Sequence, residues 1–81
     1  YHFARAQLAF GDQRYDESLD ILKRAIRLRD DDHRFYYLQG MTFRELGDLA
    51  AARSSWTRAL EESTLHWQKQ RYVEMLAVVN D

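Results

Sequence analysis

The chain contains no cysteine and no proline, and only three glycines among its 81 residues. Without cysteine there are neither disulfide staples nor thiolate metal sites, and the redox compartment is left open. Without proline no strong helix breaker interrupts a composition rich in Ala, Leu, Arg, Glu and Asp, so helix is favoured throughout. Charge of one sign is lacking too: twelve basic residues stand against thirteen acidic ones, for a formal net charge of −1. That balance gives no electrostatic footprint for nucleic acid or for an anionic membrane surface. No apolar run approaches the roughly 18 residues of a membrane-spanning helix, so no membrane insertion is expected. At 46% hydrophobic and 31% charged, the composition is globular rather than disordered. A single core in a chain below roughly 80 residues supplies only a few kcal/mol of net stability. With disulfides excluded, packing against further protein is the remaining remedy. The expectation is one domain, 1–81, belonging to a longer protein, and the helical pattern that starts abruptly at Tyr1-His2-Phe3-Ala4-Arg5 agrees with it.

Apolar spacing divides the chain into about five helices. Phe3, Ala6 and Phe10 fall at i, i+3 and i+7 on one helix face, and the polar run Gly11-Asp12-Gln13-Arg14 ends that helix near Asp12 or Gln13. Gly11 fits either its last turn or the loop. A second helix opens at Tyr15 or Asp16, with Asp16 and Glu17 in the first turn, where carboxylates suit the helix dipole. Its stripe is Leu19, Leu22, Ala25 and Ile26, widened by Ile21 and Leu28, and Asp20 can pair with Arg24 on the outer face. Asp30-Asp31-Asp32 then offers N-cap oxygens to the next helix. A calcium loop would need further oxygen ligands at regular spacing and a turn glycine, and neither follows. The third helix is expected from about His33 to Leu46, stopped by Gly47 in a left-handed cap. Asp48 caps or pre-caps a fourth, from about Leu49 to Glu62. A fifth starts near Thr64 or Leu65 and reaches about Val79, with Leu65, Tyr72, Leu76 and Val79 on one face.

Reactive chemistry finds little support. His2, His33 and His66 are the only histidines and lie too far apart for a helical i, i+4 ligand pair. There is no HExxH, no glycine-rich phosphate loop and no persuasive Ser-His-Asp spacing. Carboxylates are scattered at helix starts and on outer faces, where solvation explains them. The reading is therefore a non-enzyme with no catalytic residue, no cofactor and no metal.

Helix, short turn, helix appears twice. A shift of 34 residues pairs Ala6 with Gly40, Tyr15 with Leu49, Ser18 with Ala52, Leu22 with Trp56, Ala25 with Ala59 and Ile26 with Leu60. Size class is kept at each pair. A small residue in the first helix lets the second approach, a small residue there receives it, and a large one a turn later fills the wedge. This pattern and period resemble the tetratricopeptide repeat family. In the second unit Tyr36, Gly40, Phe43, Gly47-Asp48, Ala52, Trp56 and Ala59 stand at the family's marked positions. In the first, Tyr15-Asp16-Glu17 and Ala25 match, while Gln13 replaces the turn glycine. The family's inter-unit proline is missing, with Asp30 and Thr64 near its place, and Arg5 and Gln39 replace its leucine before the small residue. The resemblance covers roughly residues 2–62. It implies an all-α, right-handed helical-hairpin solenoid: a repeat at about 1–32, a second at about 33–66 and a capping helix at about 65–79. In a complete third unit Glu74 would fall at the small-residue place and block a partner helix, so none is expected.

The resemblance also implies a function. In that fold the first helix of each unit lines a concave groove, which places Phe3, Gln7, Phe10, Arg34, Tyr37, Met41, Arg44, Arg71 and Met75 on it. A stripe of Tyr, Met and Arg is the composition of a peptide-binding hot spot. The implied role is a non-catalytic interaction module that holds a protein or peptide segment, with Arg34, Arg44 and Arg71 pairing acidic groups. The Lys, Asn and Arg clamp by which chaperone-binding members hold a terminal carboxylate is absent, since Phe3 and Gln7 stand where its first Lys and Asn would be. Other readings stay open. Trp67, Tyr72, Val78 and Val79, expected exposed on the last helix, could form a homo-oligomer contact. The segment could be a structural or regulatory piece of a larger enzyme or secretion or assembly protein. Single-stranded RNA bound by Arg and aromatic stacking is opposed by the net charge.

Overall fold

The computed structural model describes residues 1–80. Within them the chain folds into five α-helices and no strand: α1 (His2–Gly11), α2 (Tyr15–Leu28), α3 (His33–Glu45), α4 (Leu49–Glu62) and α5 (His66–Asn80). Three of the five starts have a side-chain hydrogen bond behind them. The Asp32 carboxylate accepts from the Arg34 amide at 3.0 Å and caps α3, and Asp48 accepts from the Ala51 amide at 3.1 Å and caps α4. The Gln68 side-chain oxygen turns back to the Thr64 and Leu65 amides, both at 3.3 Å, and closes the approach to α5.

The two hairpin turns share one geometry. Gly47 has φ +83°, and the Asp48 amide reaches back to the Phe43 carbonyl at 2.9 Å. Thirty-four residues earlier Gln13 has φ +64°, and the Arg14 amide reaches the Ala9 carbonyl at 2.8 Å. Both ends are closed by a bond across a left-handed residue. Gln13 thus adopts the glycine conformation without being glycine, at a cost of about 1 kcal/mol.

Helices α1 and α2 pair, α3 and α4 pair, α2 packs on α3 and α4 on α5, while α1 also touches α3. The first core joins Ala6, Ala9, Ile21, Leu22, Ala25, Phe35 and Leu38; the second joins Tyr36, Ala59 and Tyr72. Leu22 is fully buried, worth about 1.5–3 kcal/mol over an exposed leucine. Gly40 marks the closest approach of α3 and α4, because a Cβ there would overlap the Trp56 indole. Trp56 is 1% exposed, and its indole N–H donates to the Tyr37 carbonyl at 3.1 Å. In the other hairpin Ser18 fills the receiving position and donates to the Ala6 carbonyl at 3.1 Å. Thr42, also fully buried, donates to the Leu38 carbonyl at 2.7 Å. Among the described residues no buried side-chain polar atom lacks a partner.

Four expectations need correction. Leu28 does not widen the α2 stripe: it is 76% exposed, in a last turn whose backbone leaves extended at Arg29. Leu65 precedes α5 and is exposed rather than sharing its inner face. Tyr72, expected on the exposed side of the last helix, is buried, because α5 folds back on α4 with that face inward. No Asp20–Arg24 ion pair forms among the described residues; both side chains stay in water, where holding two long chains together gains at most a few tenths of a kcal/mol.

Candidate functional site

The N-terminal turns of α3 and α5 face one another across the start of α1 and enclose a hollow of about 280 Å³. Phe3 comes from α1; His33, Arg34 and Tyr37 from α3; Trp67, Gln68, Arg71 and Tyr72 from α5. Of the nine residues expected on the concave face, the hollow brings together Phe3, Arg34, Tyr37 and Arg71. The other five stand apart from it. Gln7 is exposed on α1, and Phe10 packs against Tyr15 with ring centroids 5.6 Å apart. Met41 is half-buried against the first core and Met75 against the second. The Arg44 guanidinium lies over the Trp56 ring at 5.7 Å.

Two side-chain systems shape the walls. In the first, Asp32 accepts from Arg34 Nε at 3.0 Å and Nη2 at 2.7 Å, while the guanidinium lies over the Phe3 ring at 5.0 Å. The Arg34 hydrogen bonds hold the Asp32 carboxyl below the usual carboxylate range, against the opposing effect of burial. Asp32 in turn raises Arg34. This cation is fixed on its ring face and along its donor edge.

The second system ties α3 to α5. Burial pushes the Tyr72 hydroxyl up to about 12, so it stays protonated. It lies 2.7 Å from His33 Nδ1. Burial also lowers His33, with Asp32 opposing and Arg34 assisting, and the His33–Tyr72 hydrogen bond can run in either direction according to the imidazole tautomer. The Tyr37 and Tyr72 ring centroids are 6.2 Å apart, and Arg71 lies over the Tyr37 ring at 5.6 Å. Trp67 forms an outer wall and is 61% exposed.

The arrangement can hold a ligand by apolar and hydrogen-bond contact. Among the described residues no group of three His, Asp or Glu side chains could hold a metal ion, and no helix is long and apolar enough to cross a membrane. The family model described as tetratricopeptide repeat matches residues 33–64, which are α3, α4 and their flanks. The match spans 32 of the 81 residues, and this hairpin is similar to a tetratricopeptide repeat. The five-helix, all-α architecture fits a tetratricopeptide-like repeat protein, with the hairpin construction expected from the sequence. Neither curated proteins nor solved structures gave a significant match. Tetratricopeptide repeats generally mediate protein–protein interaction and are typically non-catalytic.

His33, Trp67, Gln68 and Tyr72 were not placed on the concave face by sequence. The sequence suggests a self-association surface for Trp67 and Tyr72 instead. Both lie in the first two turns of α5, whose apolar residues are spread around the helix and mark no single inner face. A signal existed in Tyr72 alone: it shares the i, i+4, i+7 face of Leu76 and Val79, both half-buried.

Proposed function

We propose that the chain is a non-catalytic protein-interaction module that receives a partner segment on the face where α1, α3 and α5 meet. One observation carries this reading: three helices from successive parts of the chain contribute aromatic side chains to one open hollow, with Trp67 left 61% exposed at its edge. Exposed aromatics beside guanidinium groups supply large contact area at small conformational cost, which is the chemistry of interface hot spots. On this reading residues 1–32 are a first, less regular repeat, 33–66 a second, and α5 a capping helix whose inner face completes the groove. The test is selection of displayed random peptides on the immobilised chain, with Trp67→Ala as counter-target. Enrichment on the native chain that is lost on the variant, with helicity unchanged by far-UV dichroism, is expected. Equal enrichment on both removes the hollow as the binding face.

A second reading, self-association, is favoured by the outward side of α5, where Val73 and Val78 are 47% and 73% exposed. Light scattering over a concentration series decides it. A mass that stays monomeric discards the dimer, and a rising mass that Val78→Glu abolishes supports it.

A further inference from the structure

We propose that the hollow takes one bulky apolar side chain of an internal, extended partner segment, and that Arg71 receives the side-chain carboxylate of an adjacent acidic residue. The proposal rests on the groove reading above and names its occupant.

Size sets the first limit. The hollow, about 280 Å³, lies at the lower edge of small-molecule sites, which run from about 300 to 1,000 Å³. It has room for a single large side chain. Phe3, Tyr37 and Trp67 give that side chain aromatic walls.

Polarity sets the second. Of the acceptors in the lining, the Gln68 oxygen is used by the Thr64 and Leu65 amides and His33 Nδ1 is bonded to the Tyr72 hydroxyl, while the Tyr37 hydroxyl can both accept and donate. Tyr37 aside, the open groups of the lining are donors. The Gln68 amide nitrogen, the Trp67 indole N–H and the Arg71 guanidinium have no hydrogen-bond partner among the described residues. No carboxylate lines the hollow among those residues. An acceptor-rich, negatively charged segment is the complement.

The two guanidinium groups differ in what they can still do. Arg34 has its face on Phe3 and its Nε–Nη2 edge on Asp32. Arg71 has only its face engaged, on Tyr37. A guanidinium stacked in this way keeps its in-plane N–H groups for a bidentate carboxylate, a geometry that a lysine ammonium lacks. Arg71 is therefore the charged contact, and Gln68 the donor to a partner backbone carbonyl. A single open cation beside an aromatic wall separates the carboxylate from the apolar anchor, which suits neighbouring side chains of a continuing segment.

The experiment titrates end-blocked pentapeptides into the 15N-labelled chain and follows the two indole N–H resonances. The probes are Gly-Glu-Phe-Glu-Gly, its Lys-Phe-Lys and Glu-Ala-Glu counterparts, and the first peptide with a free C-terminus. The Glu-Phe-Glu peptide is expected to shift Trp67 saturably and leave the buried Trp56 unmoved. The Lys and Ala counterparts should bind about tenfold more weakly. Arg71→Gln, at an exposed site, should equalise the Glu and Lys peptides without loss of helicity. Equal binding of Glu and Lys peptides at Trp67 by the native chain overturns the proposal and leaves the groove reading standing. Tenfold tighter binding of the free C-terminus would move the carboxylate to a chain end and also overturn it. No shift at Trp67 with any peptide removes the groove reading as well.

Discussion

Gly40→Ala tests the packing of the central hairpin most directly. The added Cβ would overlap Nε1, Cδ1 and Cε2 of Trp56, and these belong to a rigid ring rather than to the end of a flexible chain. The ring has nowhere to retreat: Trp56 is 1% exposed, and its N–H is committed to the Tyr37 carbonyl. Overpacking of this kind costs about 1–3 kcal/mol. If the indole is displaced, the buried donor loses its acceptor, at a further cost of about 1–3 kcal/mol. Against this, alanine in place of a mid-helix glycine gains about 1 kcal/mol. With both costs incurred, the expected net loss is about 1–5 kcal/mol. A chain of this size has total stability of about 4–12 kcal/mol, so the change is large enough to read by urea unfolding followed by far-UV dichroism.

Gly11→Ala is the matched control. Gly11 ends α1, its added Cβ meets nothing within 4 Å, and the same propensity gain of up to about 1 kcal/mol should appear unopposed. The two Gly→Ala changes should therefore have opposite signs. Trp56→Leu opens the space that the Gly40→Ala methyl needs, so the double variant should be more stable than the sum of the singles by at least about 1 kcal/mol. A Gly40→Ala loss below about 0.5 kcal/mol, or strict additivity with Trp56→Leu, refutes the reasoning.

Three further outcomes follow from single sites. Gln13→Gly should stabilise the chain by about 0.5–1 kcal/mol in urea unfolding, because it relieves a left-handed non-glycine residue whose exposed side chain contributes little. His33 is lowered from its ordinary value of 6.5, so its contribution to stability is complete above pH 6.5 and is lost as pH falls through that value towards the folded one. The groups facing it are Asp32 and Arg34 on its own segment and Tyr72 and Arg71 on α5, and Tyr72→Phe, which removes the 2.7 Å hydrogen bond to His33, should cost about 1 kcal/mol in urea unfolding. Asp32→Asn keeps an N-cap side chain but loses the Arg34 ion pair. With Arg34 about half exposed, the loss should be about 0.5–1.5 kcal/mol near neutral pH, present above the carboxyl's ordinary 3.8 and vanishing as pH falls through its folded value.

The helices were legible because their signals are local. Ala6, Ser18, Gly40 and Ala52 announced two close helix contacts by size alone, and all four are buried. The run Asp30-Asp31-Asp32 and Asp48 announced two helix starts by their capping oxygens, and Asp32 and Asp48 make those bonds. Gln13 shows the limit of such reading. Nothing about glutamine predicts a positive φ; the 34-residue correspondence with Gly47 does, and the turn imposes it on the residue at that place.

Arg71 apart, the hollow was legible only where it depends on hairpins of known pattern. Phe3, Arg34 and Tyr37 follow from the faces of α1 and α3, but the opposite wall depends on how α5 is rotated about its own axis. Its apolar residues lie all round, with Trp67, Val73 and Val78 outward and Tyr72, Met75 and Leu76 inward, so hydrophobic periodicity could not choose the rotation. Specific contacts choose it instead: Tyr72 enters the pocket beside Tyr36 and Ala59, and its hydroxyl meets His33 across the helix gap. The side chains that dock α5 are thus also those that shape the hollow. Any ligand held between Trp67, Arg71 and Tyr37 touches only the docked arrangement, and by linkage it must tighten α5 by as much as docking favours its binding.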